Sequence, residues 1–124
     1  MLSIAVDFDG TLCEDKFPEI GEPKEAVVGL VKELQCMGVR TILWTCRRDD
    51  KNGSHLSKAI KWCQEQGLEF AAVNENLPEV QEKWGGDTRK VLADIYLDDK
   101  SLGGFSLLQL GNLVNELHKK ESGV

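Results

Sequence analysis

A chain of 124 residues, 41% hydrophobic and 29% charged, can bury the core of one domain without disulfide or metal staples. Its net charge of −6 argues against a protein that coats nucleic acid, which needs a basic surface. No stretch approaches the roughly 20 apolar residues of a membrane span. The opening MLSIAVDFDG turns acidic too early for a signal peptide, so a cytoplasmic protein is expected.

The chain shows no repeat, low-complexity tract or linker, and residues 1–124 read as a single domain. Residues 2–8 (LSIAVDF) are an apolar run that stops at acidic residues, the pattern of a buried strand. Pro23 suits a first helical position; Val27, Leu30, Val31 and Leu34 mark one helix face, and Gly38 ends it. Residues 39–45 (VRTILWT) give the second strand. Leu56, Ala59, Ile60 and Cys63 repeat the helical spacing, with Ser54 as N-cap and Gly67 as terminator. A third strand over 68–73 (LEFAAV), a short helix from Pro78 to Trp84 closed by Gly85-Gly86, and a fourth strand over 92–97 (LADIYL) follow. Leu107, Leu110, Leu113, Val114 and Leu117 line a last helix. Cys13, Cys36, Cys46 and Cys63 form no metal-binding spacing and are expected as free thiols, packed as small hydrophobes. Trp44, Trp62 and Trp84 fall at spacings suited to core positions.

Strands alternating with helices predict an α/β, three-layer Rossmann-like fold, its central parallel sheet covered on both faces by right-handed crossovers. Ligand sites in such sheets lie beyond the carboxyl ends of the strands. Here those ends read Asp7-Phe8-Asp9-Gly10-Thr11, Thr45-Cys46-Arg47, Asn74-Glu75-Asn76 and Asp98-Asp99. Turn and cap chemistry accounts for any one of them. Two paired carboxylates converging on one rim need a compensating cation, and oxygen-only ligands point to Mg²⁺. Gly10 allows a tight turn whose N–H groups can point at an anion. A hydroxyl from Thr45 and a lysine would complete a phosphate cradle.

These residues carry a family resemblance. Asp7-Phe8-Asp9-Gly10-Thr11 resembles the first motif of the haloacid dehalogenase-like (HAD) phosphatase superfamily, Thr45 its second, and Asp98-Asp99 its acidic fourth, in the right chain order. The likeness spans about residues 1–100 and is closest to small members with an Asp-Phe-Asp-Gly-Thr opening and a later Tyr-Leu-Asp-Asp. It implies a Mg²⁺-dependent phosphohydrolase in which Asp7 attacks phosphorus, forming an aspartyl-phosphate, and Asp9 is general acid and base. Asp7, the backbone carbonyl of Asp9, and Asp98 or Asp99 would hold Mg²⁺, with Asp99 favoured as the direct ligand and Asp98 as the water-mediated one. Thr45 and nearby amides, Gly10 and Cys46 among them, would bind phosphoryl oxygens. Two lysines compete for the third motif. Lys90 has the family's spacing to Ala93-Asp94, while Lys83 lies on a helix that descends from the rim; failing both, Arg47 or Arg48 is next.

Neither gap in the motif order has room for a cap domain. Residues 12–22 would supply a small flap, with Lys16 and Phe17 as substrate contacts. An open site of this kind implies either a large phosphoester or a homodimer, and the substrate stays unspecified between small and large phosphoesters, with no membrane or nucleic-acid partner expected. Cys46 starts no Cys-x₅-Arg loop, since position 52 is Asn, so a cysteine nucleophile is not expected. A phospho-accepting receiver domain would need an Asp at the third strand end, where this chain has Asn74-Glu75-Asn76. A HAD fold retained only for binding is the other alternative.

Overall fold

Parallel strands joined by helices bury both sheet faces, and the apolar runs of this chain pair in that way. In the computed structural model, which describes residues 2–121, the elements are β1 (Ser3–Val6), α1 (Glu25–Cys36), β2 (Arg40–Leu43), β3 (Asp49–Asp50), β4 (Gly53–Ser54), α2 (His55–Glu65), β5 (Ala72–Val73), α3 (Pro78–Trp84), β6 (Ile95–Leu97) and α4 (Leu107–Glu121). A parallel sheet of order β5-β2-β1-β6 lies at the centre. The α/β class, the parallel sheet and the helical layers on both faces are as the sequence predicts. Among the described residues no separate cap domain is present.

The two faces are covered unequally. Ile4, Val6, Leu43 and Leu97 face α1, α2 and α4, meeting Val31, Leu34, Ala59, Cys63, Leu110 and Val114 in the larger core. On the other face Ala5, Ile42 and Ala72 meet only Leu77, Val91 and the partly buried Val80 and Trp44. Helix α3, seven residues long, buries none of its side chains fully. Trp84 is therefore not a core residue; it ends that helix 68% exposed, while Trp62 packs edge-on against Phe8 in the larger core. All four cysteines are free; Cys13 and Cys63 are buried as small hydrophobes, whereas Cys36 and Cys46 are exposed.

Register decides where the site falls. Val6 pairs with Leu43 on one side and with Leu97 on the other, and Leu43 pairs with Val73. All four strands thus run out at one level. Asp7, Trp44 and Asn74 each donate a backbone N–H to the last residue of the neighbouring strand, at 2.8–2.9 Å. Asp7 and Asp98 consequently leave adjacent strands side by side.

Several local expectations give way to tertiary context. Pro23 does not start α1: it bridges to Cys13, two residues before the helix, and Lys24 takes the N-cap position. Of 68–73 only Ala72–Val73 pairs, because Leu68 turns into the core directly after α2. Of 92–97 only Ile95–Leu97 pairs, since the Leu92 N–H is taken by the Asn76 side chain at 2.7 Å. Between β2 and α2 stands a hairpin, β3–β4, too short and too polar to show hydrophobic alternation. No described helix is long and apolar enough to cross a membrane.

The hairpin also replaces the expected cap of α2. Ser54 occupies the N-cap position but makes no side-chain hydrogen bond there. Instead Asp49 reaches across, its carboxylate accepting the N–H groups of Leu56 and Ser57 at 3.0 and 2.9 Å and the Ser57 hydroxyl. Those bonds hold the Asp49 carboxyl below its ordinary pKa. Asp49→Ala should therefore lower the melting temperature measurably while Ser54→Ala leaves it near that of the parent; thermal unfolding followed by circular dichroism distinguishes the two.

Candidate functional site

The turn after β1 is built around Gly10. Its φ of +88° lies in the left-handed region, and a β-carbon there would sit 2.3 Å from Oδ2 of Asp99. Glycine is thus required twice, by the backbone and by the carboxylate packed against it. The Gly10 N–H donates to the Cys13 carbonyl at 2.8 Å, and the Thr11 N–H to that of Phe8 at 3.2 Å. These two amides therefore close the turn rather than face an anion. The Phe8 N–H hydrogen-bonds the Asp7 carboxylate, while those of Asp9 and Cys46 have no hydrogen bond among the described residues. Lys24, from the start of α1, places its ammonium 2.7 Å from the Gly10 carbonyl and secures the turn from behind.

One oxygen from each of Asp7, Asp98 and Asp99 lies within 4.8 Å of the others. The buried Thr11 hydroxyl links the group, standing 3.1 Å from both Asp7 Oδ2 and Asp99 Oδ1 while accepting the Asp99 N–H at 3.0 Å. Burial pushes the Asp7 carboxyl up to about 7, helped by its hydrogen bond with Asp99 and the charge of Asp98; the Phe8 N–H and the Thr11 hydroxyl pull the other way. Lys100 touches Asp99 at 3.9 Å, but from a side chain 74% exposed, too solvated to neutralise the group. Crowded carboxylates short of positive charge, with no nitrogen or sulfur ligand among them, suit a hard divalent cation.

Asp9 is held differently. Arg47 Nε and Nη2 donate to its two oxygens, both at 2.8 Å, in a fork whose arginine side chain is 1% exposed. The remaining Arg47 donors reach the backbone carbonyls of Pro18 (3.3 Å), Glu19 (2.9 Å) and His55 (3.4 Å). Phe8 and Phe17 flank the guanidinium, their ring centres 5.1 and 5.0 Å from its carbon. Thr45 stands half-buried beside this pair. Its N–H donates to Asn74 Oδ1 at 2.8 Å, and its hydroxyl oxygen accepts the Arg47 N–H at 3.1 Å, which leaves the hydroxyl hydrogen to offer to a ligand. Asn74 sits at φ +54°, where Asn is among the tolerated residue types.

The structure thus gathers Asp7, Asp9, Gly10, Thr45, Cys46, Asp98 and Asp99 about one rim. The two lysines lie elsewhere. The Lys90 ammonium stands over the Tyr96 ring at 5.5 Å and that of Lys83 over Trp84 at 5.2 Å, on the thinly covered face. Neither makes an ion pair with the carboxylates. Lys16 is exposed, while Phe17 meets Arg47 and His55. The sequence reading assigned no role to Thr11, Lys24 or Asn74 and kept Arg47 only in reserve. Thr11 and Arg47 had a signal, each being a polar residue just past a strand end, whereas Lys24 had none.

No family model and no curated protein matches this chain. Among solved structures it superposes on a conserved protein coded by a locus from Bacteroides thetaiotaomicron with a TM-score of 0.76 and 39% identity, covering 96% of this chain and 91% of that one. The chain belongs to that protein's family. Coverage this complete means that the Bacteroides relative shares the α/β architecture.

The raised Asp7 carboxyl has a consequence for stability without metal. An unfolded Asp loses its proton near 3.8, whereas Asp7 in the fold holds it to about 7. The native state therefore binds the extra proton between those values, and stability falls as pH rises from about 4 to about 7. In chelator, Asp7→Asn should flatten that decline, which urea titrations at a series of pH values will show. An unchanged slope would mean that Asp7 is not the buried acid responsible.

Proposed function

We propose that this protein is a phosphohydrolase of the HAD type, cleaving phosphate monoesters through an aspartyl-phosphate on Asp7. What carries the reading is the meeting of Asp7, Asp98 and Asp99 within 4.8 Å at adjoining strand ends, with the Asp9 pair and the Thr45 hydroxyl on the same rim. In this reading the Asp7 carboxylate attacks phosphorus in line with the ester oxygen, and the P–O ester bond breaks as the acyl-phosphate bond forms. The ester oxygen takes a proton from Asp9 as it leaves. Water then attacks the phosphorus, giving its proton to Asp9, and phosphate departs with Asp7 restored.

Arg47 fits this use of Asp9. Each Asp9 oxygen spends one lone pair on the guanidinium and keeps another for the travelling proton, and the fork fixes where that proton is delivered. The Thr45 hydroxyl and the Asp9 and Cys46 amides are the donors for phosphoryl oxygens. A Mg²⁺ ion held by Asp7, Asp98, Asp99 and the Asp9 carbonyl would supply charge neutralisation, keeping the nucleophile ionised and drawing charge off the phosphoryl group.

Purified protein should release phosphate from an aryl phosphate with Mg²⁺ present, and Asp7→Asn or chelator should abolish turnover. Activity that survives in Asp7→Asn sinks the nucleophile assignment.

Asp9→Asn should slow a poor leaving group by about 10²–10⁴-fold, and a good one much less, because a good leaving group needs little protonation. Steady-state rates across a series of leaving groups measure this; equal losses throughout speak against the acid role.

A further inference from the structure

We infer that the space between the flap and the β3–β4 hairpin is a leaving-group pocket for a planar, hydrogen-bonding ring, making nucleoside monophosphates the substrate class. The inference rests on the phosphohydrolase reading and extends it. A pocket of about 280 Å³ opens beside the rim, lined by Phe17, Arg47, Arg48, Asp50, Asn52 and His55. It has room for one ring system and does not suit a polymer end, and the chain's net charge of −6 disfavours a long polyanion as well.

Its walls are of two kinds. The Arg47 guanidinium lies over both the Phe8 and the Phe17 rings, its carbon 5.1 and 5.0 Å from the two ring centres. Although it lies against Arg47, Phe17 is 54% exposed, so part of its ring stands open to a ligand. The His55 ring meets Phe17 at 5.2 Å and 61°, closing one side. The opposite wall is the hairpin, which presents polar groups to a ring's edge. Arg48 lies 3.1 Å from Asp50 with its side chain 81% exposed, so its other donors are free for a ligand, and the Asn52 side chain offers both a donor and an acceptor. A flat face beside a donor–acceptor edge is what a heteroaromatic base requires, and an acyclic or saturated group uses neither.

Arg47 touches Asp9 with its nitrogens at 2.8 Å and lies over the Phe17 ring at 5.0 Å, so the acid–base residue and the ring share one guanidinium.

Two measurements decide the matter, and they fail separately. Hydrolysis of acetyl phosphate by the wild-type protein tests the phosphohydrolase reading alone. The pocket is tested without turnover, by calorimetric titration of the Asp7→Asn protein with adenosine 5′-monophosphate and with ribose 5-phosphate in Mg²⁺. The nucleotide should bind about tenfold or more tighter, since stacking of one base contributes on the order of 1–3 kcal/mol. Phe17→Leu and Arg48→Ala, each in that background, should shrink the ratio. Equal affinity for the two ligands, or a ratio that survives both substitutions, overturns the pocket assignment even if acetyl phosphate is turned over.

Discussion

A guanidinium withdrawn from water is tolerable only when every donor and its charge are answered, and Arg47 meets that condition completely. Its five N–H groups go to the two oxygens of Asp9 and to three carbonyls, and its carbon stands 5.1 and 5.0 Å from the Phe8 and Phe17 ring centres. Those partners belong to the turn after β1, the flap, and the first residue of α2. One side chain therefore ties three segments together, alongside the ring contacts Phe17–His55 and Phe8–Trp62. The fork also orients Asp9 in a way that a lysine, with a single point of charge, could not reproduce.

The carboxylates a few ångströms away obey the opposite logic. Register alone places Asp7 beside Asp98, and Gly10 gives Asp99 the space to close on them. Among the described residues only the exposed Lys100 reaches the three, and burial together with the neighbouring carboxylates holds the Asp7 proton toward neutrality. Such a group is a poor device for stability. It makes sense as a site poised to trade a proton for a cation, the arrangement expected where perturbed carboxyls gather in a cleft. One rim thus holds two acids of the same type in different states of compensation: Asp9 met by a rigid fork, Asp7 left short of charge.

What was legible in the sequence follows the same division. Apolar runs that end abruptly in Asp, Thr or Asn announced the four strands, their parallel order and the rim, because burial of a strand on both faces and ligand binding at its end leave a sharp compositional edge. The hairpin Asp49–Ser54 left no such edge, being two residues per strand and solvated, and so Asp49 could not be seen as the cap of α2. Lys90 was placed by spacing along the chain, yet residues 85–92 are held by a network around the buried Asn76, whose side chain binds Asp87, Thr88 and the Leu92 N–H. That network shortens β6 to three residues and leaves Lys90 on the face of Tyr96. Contacts between residues more than ten apart, through side-chain amides, have no signature in periodicity.

The uneven covering of the sheet explains why the charge serving the rim comes from Arg47. On the thin face, α3 is too short to bury a side chain fully, so the long cations there lie over exposed aromatic rings and stay hydrated at their tips. On the other face α2, entered through the hairpin, reaches the rim with its first turn and presents the His55 carbonyl to Arg47. The flap is pinned to the same point through Pro18 and Glu19. A lid is ordinarily a folded insertion that closes by hinge motion. Here the covering segment is a loop whose ordering cost is offset by bonds to a guanidinium already needed by Asp9. The residue that orients Asp9 and the residues that shape the space above it are therefore parts of one cluster.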